Sequence, residues 1–172
     1  HLAVLHRHCG ITLGDQDVFA NAVGGVRINE TGADLAVLLA VLGSFRDRVL
    51  PRELIVFGEL GLTGELRPVA NGQERLREAS KHGFKHAIVP FANRPKERIG
   101  NMTVHGVKTL AAALEVVSTL NRLPVNGFVL HSSRCGVAHT FFAIRLVVAV
   151  VALEPLNITV TLKGNDMGRD AV

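Results

Sequence analysis

Residues 54–90 read LIVFGELGLTGELRPVANGQERLREASKHGFKHAIVP, and their order decides the fold class. Leu54 to Phe57 is a short, wholly apolar run, the pattern of a strand covered on both faces. Gly58, Gly61 and Gly64 then space a turn-rich ribbon that ends at Pro68. From Gln73 to His82, Leu76, Ala79 and Ser80 line one side while Glu74, Arg77, Glu78 and Lys81 face the other, so the segment is an amphipathic helix, closed by Gly83. Ala87 to Val89 is a second buried strand, stopped by Pro90. A strand, a ribbon, a helix and another strand in this order predict an α/β (α+β) domain.

The flanks extend the pattern. Ala33 to Phe45 (ADLAVLLAVLGSF) is apolar almost all round, with Leu35, Leu38, Leu39, Leu42 and Phe45 at helical spacing and Ala36, Ala40 and Gly43 as a small-residue face. It predicts a buried helix that other elements approach closely. Asp17 to Ile28 predicts a strand interrupted at Gly24-Gly25. Leu2, Val4 and His6 alternate with Ala3, Leu5 and Arg7, which predicts a short strand. Downstream, Met102 to Val107 predicts a strand and Thr109 to Leu120 a helix with Thr109 as its N-cap.

The composition changes after Leu123: residues 123–172 hold only four basic and three acidic residues. Within them Phe141 to Leu153 (FFAIRLVVAVVAL) is a 13-residue apolar run broken only by Arg145. A bilayer-spanning helix needs about 20 such residues, so a buried strand or hairpin, or a poorly ordered tail, is expected here and no membrane anchor. The expected organisation is one domain over residues 1–122 and an atypical apolar tail over 123–172. The first residue is His1 and no secretory signal leads the chain, which reads as a fragment beginning inside a domain.

Of 172 residues, 48% are apolar and 20% charged, which excludes a disordered or fibrous chain. The formal net charge of +4 permits contact with nucleic acid without demanding it. Trp and Tyr are absent, so any base stacking falls to Phe. Cys9 and Cys135 are too few for a disulfide framework or a cysteine zinc site, and a cytoplasmic, reducing setting is expected.

No G-x-x-x-x-G-K-[ST] and no G-x-G-x-x-G occurs, so no phosphate cradle of those kinds is expected. His6 and His8 would share one face of a strand with Cys9 after them, but no second cluster completes a metal set, and no metal site is expected. Asn29 to Asp34 leads into the buried helix, where an oxyanion would be stabilised, yet the best-placed residue, Gly32, has no side chain to attack with. Arg75, Arg77, Lys81 and Lys85 lie on or just after the amphipathic helix, with the last three spaced as a stripe while the helix continues, and Arg46, Arg48 and Arg52 cluster in a loop. Such groups either reach phosphate oxygens without sequence preference or form a solvated face.

Long runs carry a resemblance: Leu5 to Gly10 (LHRHCG), Gly14 to Phe19 (GDQDVF), Val23 to Val26 (VGGV), Glu30 to Leu35 (ETGADL), Ser44 to Arg48 (SFRDR), Val56 to Leu66 (VFGELGLTGEL), Gly72 to Leu76 (GQERL) and Lys81 to Pro90 (KHGFKHAIVP). In this order they make residues 1 to about 120 similar to the C-terminal, Lon-protease-like domain of the bacterial RadA (Sms) family of DNA repair and recombination proteins. The resemblance implies a Lon proteolytic domain-like fold, of the ribosomal protein S5 domain 2-like kind. It implies a ring, expected as a hexamer, that couples ATP hydrolysis to branch migration on double- or single-stranded DNA, with a RecA-type recombinase as a further partner. The ATP, Mg and Zn of such a protein are expected only in upstream modules, and none in this stretch.

At longer range the stretch is similar to Lon-family ATP-dependent serine peptidases, the alternative function. Their catalytic Ser falls on Gly32 and their catalytic Lys on Arg75. A dyad needs a hydroxyl and a lysine that can lose its proton, whereas Arg stays charged. The expectation is therefore a module without enzymatic activity, in which Gly32 and Arg75 are degenerate dyad positions. Arg75 then pairs with a carboxylate such as Glu59 or Glu65, or contacts an anion, and DNA contact falls to Arg75, Arg77, Lys81, Lys85, Arg46 and Arg48.

Overall fold

The computed structural model describes residues 1–14, 16–22, 29–46, 48, 50–120, 142–151 and 154–164. In chain order its elements are α1 (Leu2–Cys9), β1 (Gln16–Ala22), a 3-10 turn (Thr31–Ala33), α2 (Asp34–Phe45), β2 (Leu54–Val56), β3 (Glu59–Leu60), β4 (Leu66–Arg67), α3 (Gly72–Lys81), β5 (His86–Pro90), a second 3-10 turn (Phe91–Asn93), β6 (Thr103–Val107), α4 (Leu110–Leu120), β7 (Phe142–Val151) and β8 (Glu154–Gly164). The mixture of helices with a parallel sheet is the expected α/β class.

The parallel sheet has the order β2-β5-β6. Alternation along β2 explains why it reads as continuously apolar. Leu54 and Val56 join a core with Leu5 of α1, Leu38 and Leu42 of α2 and Leu110 of α4, while Ile55 and Phe57 join a second core with Leu76 and Ala79 of α3. The sheet is thus covered on both faces, which its side-chain period of two requires of LIVF. α3 begins after Asn71 and ends where Phe84 N–H donates to Ala79 O, the cap that Gly83 signals. Thr109 Oγ1 accepts from Ala112 N–H at 3.3 Å and caps α4. Between β2 and α3, β3 and β4 form the antiparallel ribbon, Glu59 opposite Arg67 and Leu60 opposite Leu66.

Residues 2–9 are helix and not the strand that their alternation predicts. Val4 and Leu5 are buried, Cys9 is half-buried one turn after Leu5, and Gly10 closes the helix at φ 64° with its N–H on His6 O. The buried side chains sit at helical spacing, so the i, i+2 pattern of Leu2, Val4 and His6 is incidental.

β1, β8 and β7 form an antiparallel sheet, with pairs running from Gln16 opposite Gly164 to Ala22 opposite Ile158. The apolar run from 141 to 153 supplies β7, and α2 lies against β7 and β8. The Gly24-Gly25 interruption falls outside the described residues. Among the described residues no helix is long and apolar enough to cross a membrane.

Candidate functional site

Parallel strands present their following loops at one end of the sheet, where ligands of α/β proteins sit. Here that end gathers Gly58 after β2, Phe91 and Asn93 after β5, and Lys108 after β6. Gly58 N–H donates to Gly32 O at 2.8 Å, and Leu35 N–H donates to Gly58 O at 3.1 Å. These bonds pin the 3-10 turn and the start of α2 to the end of β2.

Gly32 is buried, and a Cβ on it would stand 3.1 Å from Glu30 Oε1 and 3.2 Å from Val69 Cγ1. Arg75, from the first turns of α3, reaches the same place. Its Nε donates to Ala70 O at 3.0 Å, its Nη2 donates to Glu30 Oε1, and its guanidinium lies 6.0 Å from the Phe57 ring centroid. The Arg75 side chain is only 11% exposed. The structure therefore brings Gly32 and Arg75 together, but through Glu30 and not through Glu59 or Glu65. A guanidinium so held is a charge and a hydrogen-bond donor, and cannot act as a base.

Glu59 and Glu65 instead take Arg67, with Nη2 to Glu65 Oε1 at 2.7 Å and Nη1 to Glu59 Oε1 at 3.4 Å. The Thr31 hydroxyl donates to Glu59 Oε2 at 2.7 Å. The Thr63 hydroxyl donates to Glu65 and is the main reason, ahead of Arg67, that this carboxyl is lowered to about 2. Burial pushes the Asp34 carboxyl up, against a hydrogen bond from Leu60 N–H at 3.3 Å.

Asn93 completes the frame. Its Oδ1 accepts from Val69 N–H and its Nδ2 donates to Val69 O, both at 2.9 Å, as a paired strand would. A Cβ at Gly72 would fall 2.4 Å from Asn93 Nδ2, so this pairing depends on glycine at the start of α3. Asn93 carries no motif of its own in the sequence, and Glu30 stands there only as the first residue of ETGADL; the fold shows what they hold.

The remaining basic residues lie apart from that centre. Arg77 is exposed on α3, Lys81 is exposed and pairs with Glu78 at 3.0 Å, and Arg46 and Arg48 are exposed after α2. The helix ends at Lys81, so the stripe does not extend to Lys85, which pairs with Glu53 at 2.9 Å. His6 and His8 are two apart on a helix and share no strand face, and His8 Nε2 meets Leu62 O at 3.2 Å. A different histidine pair, unmarked in the sequence, forms across β5 and β6: His86 and His105 stack with centroids 6.3 Å apart.

Residues 7–93 match the family described as subunit ChlI of Mg-chelatase. The chain belongs to this family. The matched stretch runs from α1 to the 3-10 turn at Asn93 and so contains Glu30, Gly32 and Arg75. The chain is 61% identical over 119 residues to DNA repair protein RadA of Haemophilus influenzae, a match covering 69% of this chain and 26% of that protein. It is 60% identical over 119 residues to DNA repair protein RadA of Escherichia coli, covering 69% and 26%. It is 41% identical over 116 residues to that of Aquifex aeolicus, covering 67% and 26%. The resemblance to RadA expected from the sequence is shown, and the chain spans about a quarter of the length of these curated relatives.

Two expectations fall with the family match. A module without enzymatic activity, and one without any cofactor because ATP and Mg belong upstream, were both expected; residues 7–93 belong instead to a family named for a subunit of an enzyme that handles Mg. The first rested on a missing serine and lysine, which test peptidase chemistry alone, and the second on the absence of two glycine-rich phosphate motifs and on modules that the resemblance places upstream. Among the described residues no three of His, Cys, Asp and Glu come together as metal ligands.

Proposed function

We propose that this chain is a DNA-contacting and subunit-assembling module of a RadA-type DNA repair enzyme, folded like a Lon proteolytic domain. The observation that carries this reading is the 61% identity over 119 residues to a protein named for DNA repair. In this reading residues 1–122 are the module and residues 123–172 an appendage. The parent enzyme works with ATP and Mg in the cytoplasm, as a ring, a hexamer, on double- or single-stranded DNA beside a RecA-type recombinase.

Within the module the Arg75–Glu30 pair acts as a tie. It fixes the first turns of α3 to the turn that holds Gly32, and so keeps the carboxyl end of the parallel sheet in one shape. Arg46, Arg48 and Arg77 offer exposed guanidinium groups to phosphate, and Lys81 and Lys85 add charge on exchanging Glu78 and Glu53 for it.

The test is a titration of labelled single- and double-stranded DNA with the chain at rising salt, beside its sedimentation mass with and without DNA. Binding that weakens by about 0.9 log units per log unit of salt for each duplex phosphate contact is expected, with DNA raising the mass above that of the monomer. Absence of binding together with a monomeric mass would overturn the reading.

A further inference from the structure

We propose that Phe91 and Lys108, with Arg94, Lys96 and Arg98 on the segment that follows Phe91, form a platform for single-stranded DNA on which one unpaired base stacks. The inference rests on the DNA role proposed above and names a surface for it.

Phe91 is 48% exposed although it follows a strand whose other residues are mostly buried. The pairing of β5 with β6 puts Pro90 opposite Val107, so the next residues, Phe91 and Lys108, emerge side by side at the carboxyl end of the sheet. Lys108 Nζ lies 5.0 Å from the Phe91 ring centroid. Both are held from behind. Arg94 N–H donates to Phe91 O at 3.1 Å, closing the turn, and Lys108 O accepts from Leu66 N–H at 2.8 Å. The stem of Arg94 lies over Gly106 of β6, where a Cβ would meet its Cβ and Cδ at 3.1 Å. A ring fixed at an exposed position loses little freedom on taking a partner, and a cation over its face adds to the attraction for a base and its phosphate.

Arg94, Lys96, Arg98 and Lys108 are all exposed, and among the described residues none of them is in an ion pair. Arg67, Arg75, Lys81 and Lys85 each face a carboxylate. Between residues 91 and 108 the only carboxylate is Glu97. An exposed aromatic ring with one cation against it and three more exposed cations on the segment that follows it matches a polyanion that carries flat apolar faces. Only an unpaired strand presents those faces, since a duplex keeps them in its stack.

The experiment uses the whole chain, a labelled oligo-dT, a duplex of equal length and an oligonucleotide carrying 2-aminopurine, whose fluorescence falls when it stacks. Phe91→Ala is expected to weaken oligo-dT binding about tenfold, to remove the 2-aminopurine quench and to leave duplex binding unchanged. Phe91→Leu, which keeps apolar bulk without a ring, should behave like Phe91→Ala. Lys108→Ala should reduce the salt slope for oligo-dT by about 0.7. Unchanged binding and quenching in Phe91→Ala would overturn the platform, as would a chain that binds duplex but no single strand, and in both cases the proposed DNA role would stand. A chain that binds neither nucleic acid would overturn both.

Discussion

The guanidinium of Arg75 on α3 donates to the carboxylate of Glu30, 45 residues earlier in the chain. This pair joins two segments that no strand pairing connects, so its removal should register in the stability of the whole domain. Arg75→Ala is expected to cost about 1–3 kcal/mol, below the figure for a fully buried pair because Glu30 is 28% exposed. Arg75→Lys should cost less, keeping the charge while losing the Nε bond to Ala70. Urea midpoints for Arg75→Ala, Glu30→Gln and the double variant would check this; additive losses would show that the two residues do not act together.

Gly72→Ala reverses an ordinary rule. Alanine inside a helix normally stabilises by about 0.5–1 kcal/mol over glycine. Here the added methyl carbon would lie 2.4 Å from Asn93 Nδ2 and would push out the side chain that holds both backbone groups of Val69. A net loss of about 1–3 kcal/mol is expected, readable as a lower thermal midpoint, and a gain in stability would contradict this account of Asn93.

Burial, followed by the nearby charge of His86, holds the His105 imidazole below its ordinary value of 6.5. His86 Nδ1 and His105 Nε2 are buried and, among the described residues, have no hydrogen-bond partner. The unfolded chain therefore takes up a proton at His105 before the folded chain does, and stability falls as pH drops through and below 6.5. His105→Gln should flatten the dependence between pH 7.5 and 5.5. Denaturation midpoints at the two pH values would measure it, and an equal slope in the variant would refute it.

Glu65 behaves with the same sign in a lower range. Its carboxyl is lowered from 4.5 to about 2, chiefly by the Thr63 hydroxyl. The support that it gives the ribbon between β3 and β4 is complete above about pH 4.5 and is lost as pH falls toward 2. The Thr63 amide, which also donates to Glu65 at 3.1 Å, should lose protection from hydrogen exchange over that interval. In Glu65→Gln the acid step should disappear.

What the sequence makes legible follows from how far each signal reaches. α3 and its Gly83 cap, β2, β5 and the cap at Thr109 rest on neighbours within a few residues, and the structure holds them close to where local chemistry puts them. α1 went the other way because eight residues are short enough to fit two periods, and the deciding contacts of Val4 and Leu5 lie in the distant core. Glu30 could not be told from Glu59 or Glu65 as the partner of Arg75 without the fold, since all three are plain carboxylates at long range. Lys108 escaped notice as the neighbour of Phe91 because β6 lies between them in the chain, and only strand register returns Lys108 to the ring. The inference to inactivity failed for a different reason, in that the loss of one kind of chemistry at Gly32 and Arg75 says nothing of another.

The antiparallel join of β1 to β8 links positions 16–22 with positions 158–164. A backbone severed between Leu120 and Phe142 would thus leave two peptides still zipped edge to edge, travelling as one particle in a gel filtration column and parting only in denaturant. The hairpin of β7 and β8 works as a clasp whose hold on β1 needs no continuous chain.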